Sequence, residues 1–503
     1  MAVEDSSAKN SGYEYDQEGE SLGHRAVKGG MWMFLLKVVH RGLGFLRTII
    51  LARLLCPGDF GLFGIAVLMI NFLENFSATG INAALVQKKE SIKDYLDSAW
   101  TVNLVRSLVL FAILYFGASP VAYFFKSPEA LDVIRVLAVL QLINGVENIG
   151  TLYFQKEIHF DKLFYLKFSG MIVNVVVSIT MAFILKSVWA LVYGALSGAF
   201  VKTLMSYVLH PYRPRLRFDL EKIKELLSFG KWLFGSSILV FLITEGDDAF
   251  VGKILGVTAL GFYQMAYLLS NAPATEISNF VAQITFPVYS KMQDNLPRLR
   301  EAYFRVLQLV AFLSFPISGL IFFLAPDFTR LFLGGKWMPM VPAMQVLSLW
   351  GLIRAIGTTT TQIFYAVGRP DLSTKVKFSQ LLLIVVSIYP LTARWGILGT
   401  SLAIVAATLI PNLAACYLTM KIIGGSMHDL SKMLLLPLTN TLIVLATIVI
   451  SRIWWKSGAT FFVHIFLGLL VYVCVTNVFN HFFDYDMWFV LRRVRKEIKG
   501  ARL

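Results

Sequence analysis

The sequence predicts an all-α polytopic membrane protein, with two related six-helix lobes followed by one further pair of helices. Three observations predict this class. Apolar residues make up 56% of the 503-residue chain, long apolar runs recur throughout it, and one helical hairpin returns about 200 residues later. A soluble domain of this size has no interior large enough for so much apolar surface. About 14 of the runs approach 20 residues, which is enough to cross a bilayer as a helix.

The repeated hairpin occupies 30–71 and consists of a helix, a short break at 55–61 and a second helix. Tandem copies of one unit are typical of membrane transporters, in which the substrate binds where the copies meet. We therefore expect the functional residues on the inner faces of the two lobes. The identical pairs are Gly30 and Gly230, Trp32 and Trp232, Phe34 and Phe234, Leu55 and Leu255, Gly61 and Gly261, Ala66 and Ala266, Leu68 and Leu268, and Asn71 and Asn271.

The chain divides into six segments by composition and by this repeat. In order, we predict a disordered cytoplasmic tail (1–28), an N-lobe of helices 1–6 (29–209), a cytoplasmic linker with an amphipathic helix (210–229), a C-lobe of helices 7–12 (230–421), helices 13 and 14 (422–482), and a basic amphipathic cytoplasmic tail (483–503).

The net charge is +15, but its distribution argues against a nucleic-acid partner. If the N-terminus is cytoplasmic, most of the 46 Lys and Arg residues fall in the cytoplasmic loops and tails. This asymmetry is the positive-inside pattern, and it places both termini in the cytoplasm. Membrane lipids are therefore the expected partners of the basic segments.

A basic stripe follows the first predicted helix: Lys37, His40, Arg41 and Arg47 share one face at helical spacing. Charges inside a bilayer are costly, so this face cannot lie against lipid. It must face a water-filled cavity or acidic partners. In the first case these residues, together with Arg106 and Arg354, are suited to holding an anion such as a phosphate.

Further polar stripes follow three other helices and would suit a path lined for sugars. Their candidate members are Asn71, Glu74 and Asn75 in helix 2, Asn144 and Asn148 in helix 4, and Arg354, Thr358 and Gln362 in helix 10.

The second lobe contributes carboxylates where the first contributes cations. Two interpretations stay open: a site for a coupling H⁺ or Na⁺, or a gate of ion pairs between the lobes, such as Arg47 with Asp248. The residues concerned are Glu245, Asp247, Asp248 and Glu276.

No phosphate-binding Gly-rich loop, metal-ligand spacing or catalytic Ser/His/Asp arrangement is present in the sequence. We therefore expect neither an enzyme nor a bound metal or organic cofactor. The three cysteines are scattered and give no disulfide pattern. Gly194 and Gly198 have the small-x-x-x-small spacing that favours close helix packing.

Several motifs resemble those of one known family. The run LARLLCPGDFGLF at 51–63 is similar to the signature of bacterial Wzx-type polysaccharide flippases. Further similar segments are 79–89, 248–263, 286–290 and 332–337. These flippases belong to the multidrug/oligosaccharidyl-lipid/polysaccharide exporter superfamily, and the similarity is closest to the subgroup of colanic acid exporters.

The resemblance implies an alternating-access flippase in the bacterial cytoplasmic membrane. Such a protein moves polyprenyl-pyrophosphate-linked oligosaccharide to the outer leaflet for surface polysaccharide synthesis, in some cases alongside a polymerase or other assembly proteins. In related flippases a cationic central cavity engages the pyrophosphate, which would give the stripe of helix 1 its role.

Three other functions are compatible with parts of the pattern. A drug or organic-cation antiporter of the same superfamily needs an acidic, aromatic cavity, whereas helix 1 is basic. A membrane glycan polymerase or ligase usually has a sizeable extracytoplasmic domain, whereas the predicted outer loops are short. A scaffold has no need of polar stripes through the bilayer.

Overall fold

A computed structural model describes residues 22–77, 80–88, 92–224, 238–454 and 460–482, and contains no strand among them. The end of the predicted amphipathic linker helix (225–229), most of the predicted N-terminal tail and all of the predicted C-terminal tail lie outside these residues. The α-helices are α1 (Leu22–Leu54), α2 (Pro57–Phe76), α3 (Ile81–Gln87), α4 (Lys93–Phe124), α5 (Ala130–Gly145), α6 (Tyr153–Lys156), α7 (Phe160–Leu185), α8 (Trp189–Leu209), α9 (Gly246–Leu255), α10 (Val257–Lys291), α11 (Leu296–Phe328), α12 (Val341–Ala366), α13 (Pro370–Ile423), α14 (Met427–Trp454) and α15 (Thr460–Phe482).

Nine helical stretches in the described part of the chain are long and apolar enough to cross a membrane. One of them, α13, has 54 residues and would be about 80 Å long if straight, against about 30 Å for a bilayer core. Gly396 breaks it with φ 57° and ψ −138°, so α13 supplies two spans, as predicted. The fold class, an all-α multi-pass membrane protein, is confirmed.

The chain forms two compact units. The first comprises 1–54, 69–121 and 129–237, and the second comprises 55–68, 122–128 and 238–503. The N-terminal part of α2, although it belongs to the first sequence repeat, is therefore packed within the second unit. The predicted lobe boundaries stay a prediction.

In the first unit, α7 and α8 approach closely at three glycines. A Cβ on Gly198 would lie 2.7 Å from the Gly170 carbonyl oxygen, and one on Gly194 would lie 2.6 Å from the Ser178 Cβ. The predicted packing role of Gly194 and Gly198 is confirmed. Such contacts replace hydrophobic burial as the source of cohesion between helices surrounded by lipid.

The segment after α8 is fastened to the first unit. The Tyr212 hydroxyl donates to the Asp97 carboxylate, and the Arg215 backbone N–H donates to the same Asp97 oxygen at 3.0 Å. The Asn148 amide donates to the Tyr212 carbonyl at 2.7 Å, and the Asn148 N–H donates to the Ser206 hydroxyl at 3.0 Å. The first part of the predicted linker is thus a fixed part of this unit.

His210 lies at the start of this segment and is completely buried. Its ring is stacked on that of Tyr153 at 5.6 Å, and its Nδ1 accepts from the Tyr212 N–H at 3.1 Å. Burial, together with the positive charges of Lys162 and Arg213, lowers the pKa of His210 to about 4. The ring is therefore neutral in the folded protein at pH 5 to 7.

In the second unit the two copies of the repeated hairpin meet at their glycines. A Cβ on Gly61 would lie 2.7 Å from the Val257 carbonyl carbon and closer still to its oxygen. A Cβ on Gly261 would meet the Pro57 carbonyl in the same way, at 2.9 Å from its carbon. Residues 57 and 257 are themselves a repeat pair. This glycine crossing brings the backbones of α2 and α10 into direct contact.

A tryptophan packs beside the glycine crossing. Trp337 is completely buried, with its ring edge-to-face against Phe60 at 5.3 Å and against Phe262 at 5.9 Å. The preceding residue, Lys336, donates from its Nζ to the Leu55 carbonyl at 2.6 Å. Each aromatic pair contributes roughly 0.5–1.5 kcal/mol beyond area burial.

Replacing His210 by glutamine should remove a pH dependence of stability. The unfolded chain binds a proton below pH 6.5, whereas folded His210 does not until about pH 4. Proton uptake by unfolded His210 therefore does not change the free energy of unfolding above pH 6.5 and lowers it by about 2 kcal/mol at pH 5. Denaturant unfolding of the purified protein at pH 5 and pH 7 should show a smaller difference in His210→Gln; an unchanged difference would contradict the assignment.

Gly61→Ala should destabilise the protein by roughly 1–3 kcal/mol, because the added methyl group collides with backbone rather than with a flexible side chain. Gly117→Ala is the matched control, since no atom lies within 4 Å of a Cβ at that position in α4. Thermal unfolding in detergent measures both. Equal unfolding temperatures for the two variants would show that the crossing tolerates a side chain.

Candidate functional site

The basic stripe of α1 is largely solvent-accessible in the isolated chain. Lys37, His40 and Arg41 have exposed side chains, whereas Arg47 is half-buried and donates from Nε to the Ser178 hydroxyl at 2.9 Å. The first three are thus accessible from outside the chain, while Arg47 is partly committed to α7. Since lipid cannot accommodate such charges, the accessible part of this stripe needs water or an anion beside it.

The polar residues of α2 are largely satisfied within the first unit. The Glu74 carboxylate accepts from the Gln141 amide at 3.0 Å, and the Asn75 amide donates to the Asn71 carbonyl at 2.8 Å. Arg106 donates from Nε to the Ser77 carbonyl at 2.9 Å and from Nη2 to the Glu74 carbonyl at 3.2 Å. It therefore caps the C-terminal end of α2, where unpaired carbonyls carry partial negative charge.

The two asparagines predicted in helix 4 have different environments. Asn144, near the end of α5, is exposed. Asn148 is completely buried, and besides the contacts to Tyr212 and Ser206 its side-chain oxygen accepts from the Gly150 N–H at 2.9 Å. Asn148 therefore holds the chain in place, and its amide is already used by the protein.

The second unit contains a pocket of about 340 Å³ with several polar side chains among its lining residues. It brings together three of the predicted residues, Arg354, Thr358 and Gln362, which lie one turn apart on α12. Among the described residues that line it, none is Asp or Glu. The lining residues are Val240, Ile243, Thr244, Trp350, Arg354, Gly357, Thr358, Thr361, Gln362, Tyr365, Ser373, Val376, Lys377, Gln380, Thr408 and Asn412.

Arg354 is held in a fixed position in this pocket. Its guanidinium lies over the Trp350 ring at 4.9 Å and donates to the Thr275 hydroxyl. The Trp350 indole N–H in turn donates to the Thr408 hydroxyl at 2.9 Å, which also accepts from the Gln380 amide at 3.0 Å. A planar guanidinium fixed in this way is pre-organised for an anion.

The pocket residues that the sequence analysis missed include three on α13: Lys377, Gln380 and Asn412. Lys377 lies near the start of a helix and reads as one more basic residue of a cytoplasmic loop. Asn412 is an isolated amide on an apolar helix. Gly357 in the middle of α12 is the sequence feature that relates to it, because the Asn412 side chain packs where a Cβ on Gly357 would lie.

The carboxylates gather at the start of α9. The buried Asp247 accepts from the Tyr263 hydroxyl at 2.6 Å, and Asp248 accepts from the Gln264 amide at 2.8 Å. A helix N-terminus favours such negative charges. Glu245, which precedes this helix, and Glu276 in α10 are partly buried. Their predicted roles in ion coupling or gating stay predictions.

The fold and the polar sites define a multi-pass helical membrane protein of the transporter type. A sequence profile for the family described as "Polysaccharide biosynthesis protein" matches residues 50–342. The chain belongs to this family.

Similar proteins in bacteria support the same family assignment. The chain is 24% identical to the lipopolysaccharide biosynthesis protein WzxC of Escherichia coli (strain K12), over 81% of this chain and 83% of the relative. It is 25% identical to an uncharacterized membrane protein in the cps region of Klebsiella pneumoniae, over 90% of this chain and 95% of the relative.

Among solved structures, the lipid II flippase MurJ in an inward closed conformation has the same fold. The TM-score is 0.70 with 17% sequence identity, over 90% of this chain and 99% of that one. This likeness establishes the fold of the chain but not its substrate.

Arg106→Ala should lower the stability of the protein by roughly 1–3 kcal/mol, because the Ser77 and Glu74 carbonyls lose a charged donor. Thermal unfolding in detergent measures the loss. If Arg106 instead acts mainly on the substrate, the variant will unfold at the wild-type temperature and lose transport, which would contradict the capping role.

Proposed function

We propose that this protein is a flippase for lipid-linked oligosaccharide in surface polysaccharide synthesis. The substrate is a saccharide joined by pyrophosphate to a polyprenyl lipid, and alternating access moves it to the outer leaflet of the bacterial cytoplasmic membrane. The observation that carries the proposal is the exposed cationic face of α1, formed by Lys37, His40 and Arg41. It agrees with the names of the relatives, which concern polysaccharide synthesis.

The charge of this face selects the ligand class. A pyrophosphate presents several strong acceptor oxygens, which pair well with ammonium and guanidinium groups. Organic cations would be repelled by the same face. The pocket of the second unit points the same way, since Arg354 and Lys377 are its only charged groups among the described lining residues. An exporter of cationic drugs is therefore the weaker alternative. No residue has been given a role in polymerase or ligase chemistry.

The topology and energy source belong to the same proposal. Both termini lie in the cytoplasm, and the cycle is coupled to H⁺ or Na⁺ at the carboxylates Asp247 and Asp248, with Glu245 just before them and Glu276 on α10 as further candidates. No organic cofactor takes part. A glycan polymerase or other assembly protein receives the product at the outer face.

The double substitution Lys37→Ala/Arg41→Ala tests the proposal. Loss of two charge-assisted contacts should reduce surface polysaccharide at least about tenfold and leave lipid-linked oligosaccharide accumulating inside the cell. The measurement compares glycan at the cell surface and in the lipid extract after replacement of the chromosomal gene.

Lys432→Ala is the control, because Lys432 is also an exposed cation but lies near the start of α14 rather than on α1. The amounts of each variant in the membrane are compared by immunoblot. Normal polysaccharide export by Lys37→Ala/Arg41→Ala, with the variant present at the wild-type level, would contradict the proposal. Uptake of organic cations by proteoliposomes, without any movement of lipid-linked saccharide, would favour the drug exporter instead.

A further inference from the structure

The pocket of the second unit has an unbalanced charge. Arg354 on α12 and Lys377 on α13 both line it, and no described lining residue is acidic. Arg354 lies near the middle of α12, where a cation is costly when nothing neutralises it. The pocket therefore suits a ligand with a negative charge.

The remaining polar groups indicate what else that ligand contains. Hydroxyls and amides surround the cations, and each can both donate and accept hydrogen bonds. A small inorganic anion needs few of them, whereas the ring hydroxyls of a sugar need several partners. The groups are Thr358, Thr361, Gln362, Tyr365, Ser373, Gln380 and Asn412.

The size of the pocket limits the ligand to part of a saccharide. Its 340 Å³ is close to the lower end of the range of about 300–1,000 Å³ for small-molecule sites. One sugar unit or two can enter, but a complete oligosaccharide cannot. Because Arg354 is already stacked on Trp350, its side chain loses little conformational freedom when the ligand binds.

We propose that this pocket binds a carboxylate-bearing sugar of the transported saccharide. Arg354 and Lys377 pair with the carboxylate, while the surrounding hydroxyls and amides bond to the ring. The proposal rests on the proposed flippase function and adds that the glycan is acidic. The pyrophosphate of the lipid carrier offers the same negative charge without ring hydroxyls, so the two sources can be separated experimentally.

Binding of three probes to the purified full-length protein tests this directly. The probes are D-glucuronate, D-glucose and inorganic pyrophosphate, and isothermal titration calorimetry or saturation-transfer NMR measures each. Glucuronate should bind at least about tenfold more tightly than glucose, the gain expected from one charge-assisted contact. Arg354→Ala and Lys377→Ala should each weaken glucuronate binding by a similar factor.

Two controls accompany these variants. Lys375→Ala removes an exposed lysine that is paired with Asp371 at 3.4 Å and does not line the pocket, so it should bind glucuronate as the wild type does. Lys37→Ala/Arg41→Ala should also retain glucuronate binding, even though export fails. Thermal unfolding confirms that each variant is folded.

Three results would overturn the proposal. The first is equal binding of glucose and glucuronate, and the second is unchanged glucuronate binding in both Arg354→Ala and Lys377→Ala. The third is displacement of glucuronate by pyrophosphate, together with loss of pyrophosphate binding in those two variants. The last result assigns the pocket to the lipid carrier. None of them affects the export test on α1, so failure of this proposal is distinct from failure of the flippase function.

Discussion

The structure depends on one constraint: a charged or polar group inside a bilayer must be satisfied by the protein, by water or by a ligand. This constraint separates the polar residues into two sets. Arg106 and Asn148 are satisfied by backbone groups of the first unit, and their role is to hold the fold. Lys37 and Arg41 are exposed, and Lys377 faces a pocket without acidic lining among the described residues. The proposed substrate contacts belong to the second set.

The two cationic sites differ in rigidity. The α1 stripe presents long, exposed side chains that can follow a flexible pyrophosphate. Arg354, in contrast, is fixed by Trp350 and Thr275 before any ligand is present. A fixed group discriminates between ligands by geometry, whereas a mobile one mainly supplies attraction. The proposed recognition of the sugar and the proposed recognition of the lipid phosphate therefore rest on different physical properties.

The sequence was sufficient for the fold class and for part of the site. Apolar runs and the repeated hairpin predicted the helices, and helical spacing placed Arg354, Thr358 and Gln362 on one face of α12, where they share a pocket. Helical spacing reports only neighbours along one helix. It could not bring Lys377 or Asn412 on α13 to the same pocket, and it could not show that Arg106 lies at the carbonyl end of α2.

The glycine crossing also bears on how a chain of this kind can arise. Gly61 meets the carbonyl of Val257 and Gly261 meets that of Pro57, which is the reciprocal pattern of a two-fold dimer interface. Half-length chains could associate through the same contact. One pair breaks the reciprocity: the Gln264 side chain occupies the space that a Cβ on Gly64 would need. Two identical subunits would place either two glutamines that collide or two glycines that leave a void, so one of each requires two copies whose sequences differ, as the two halves of this chain do.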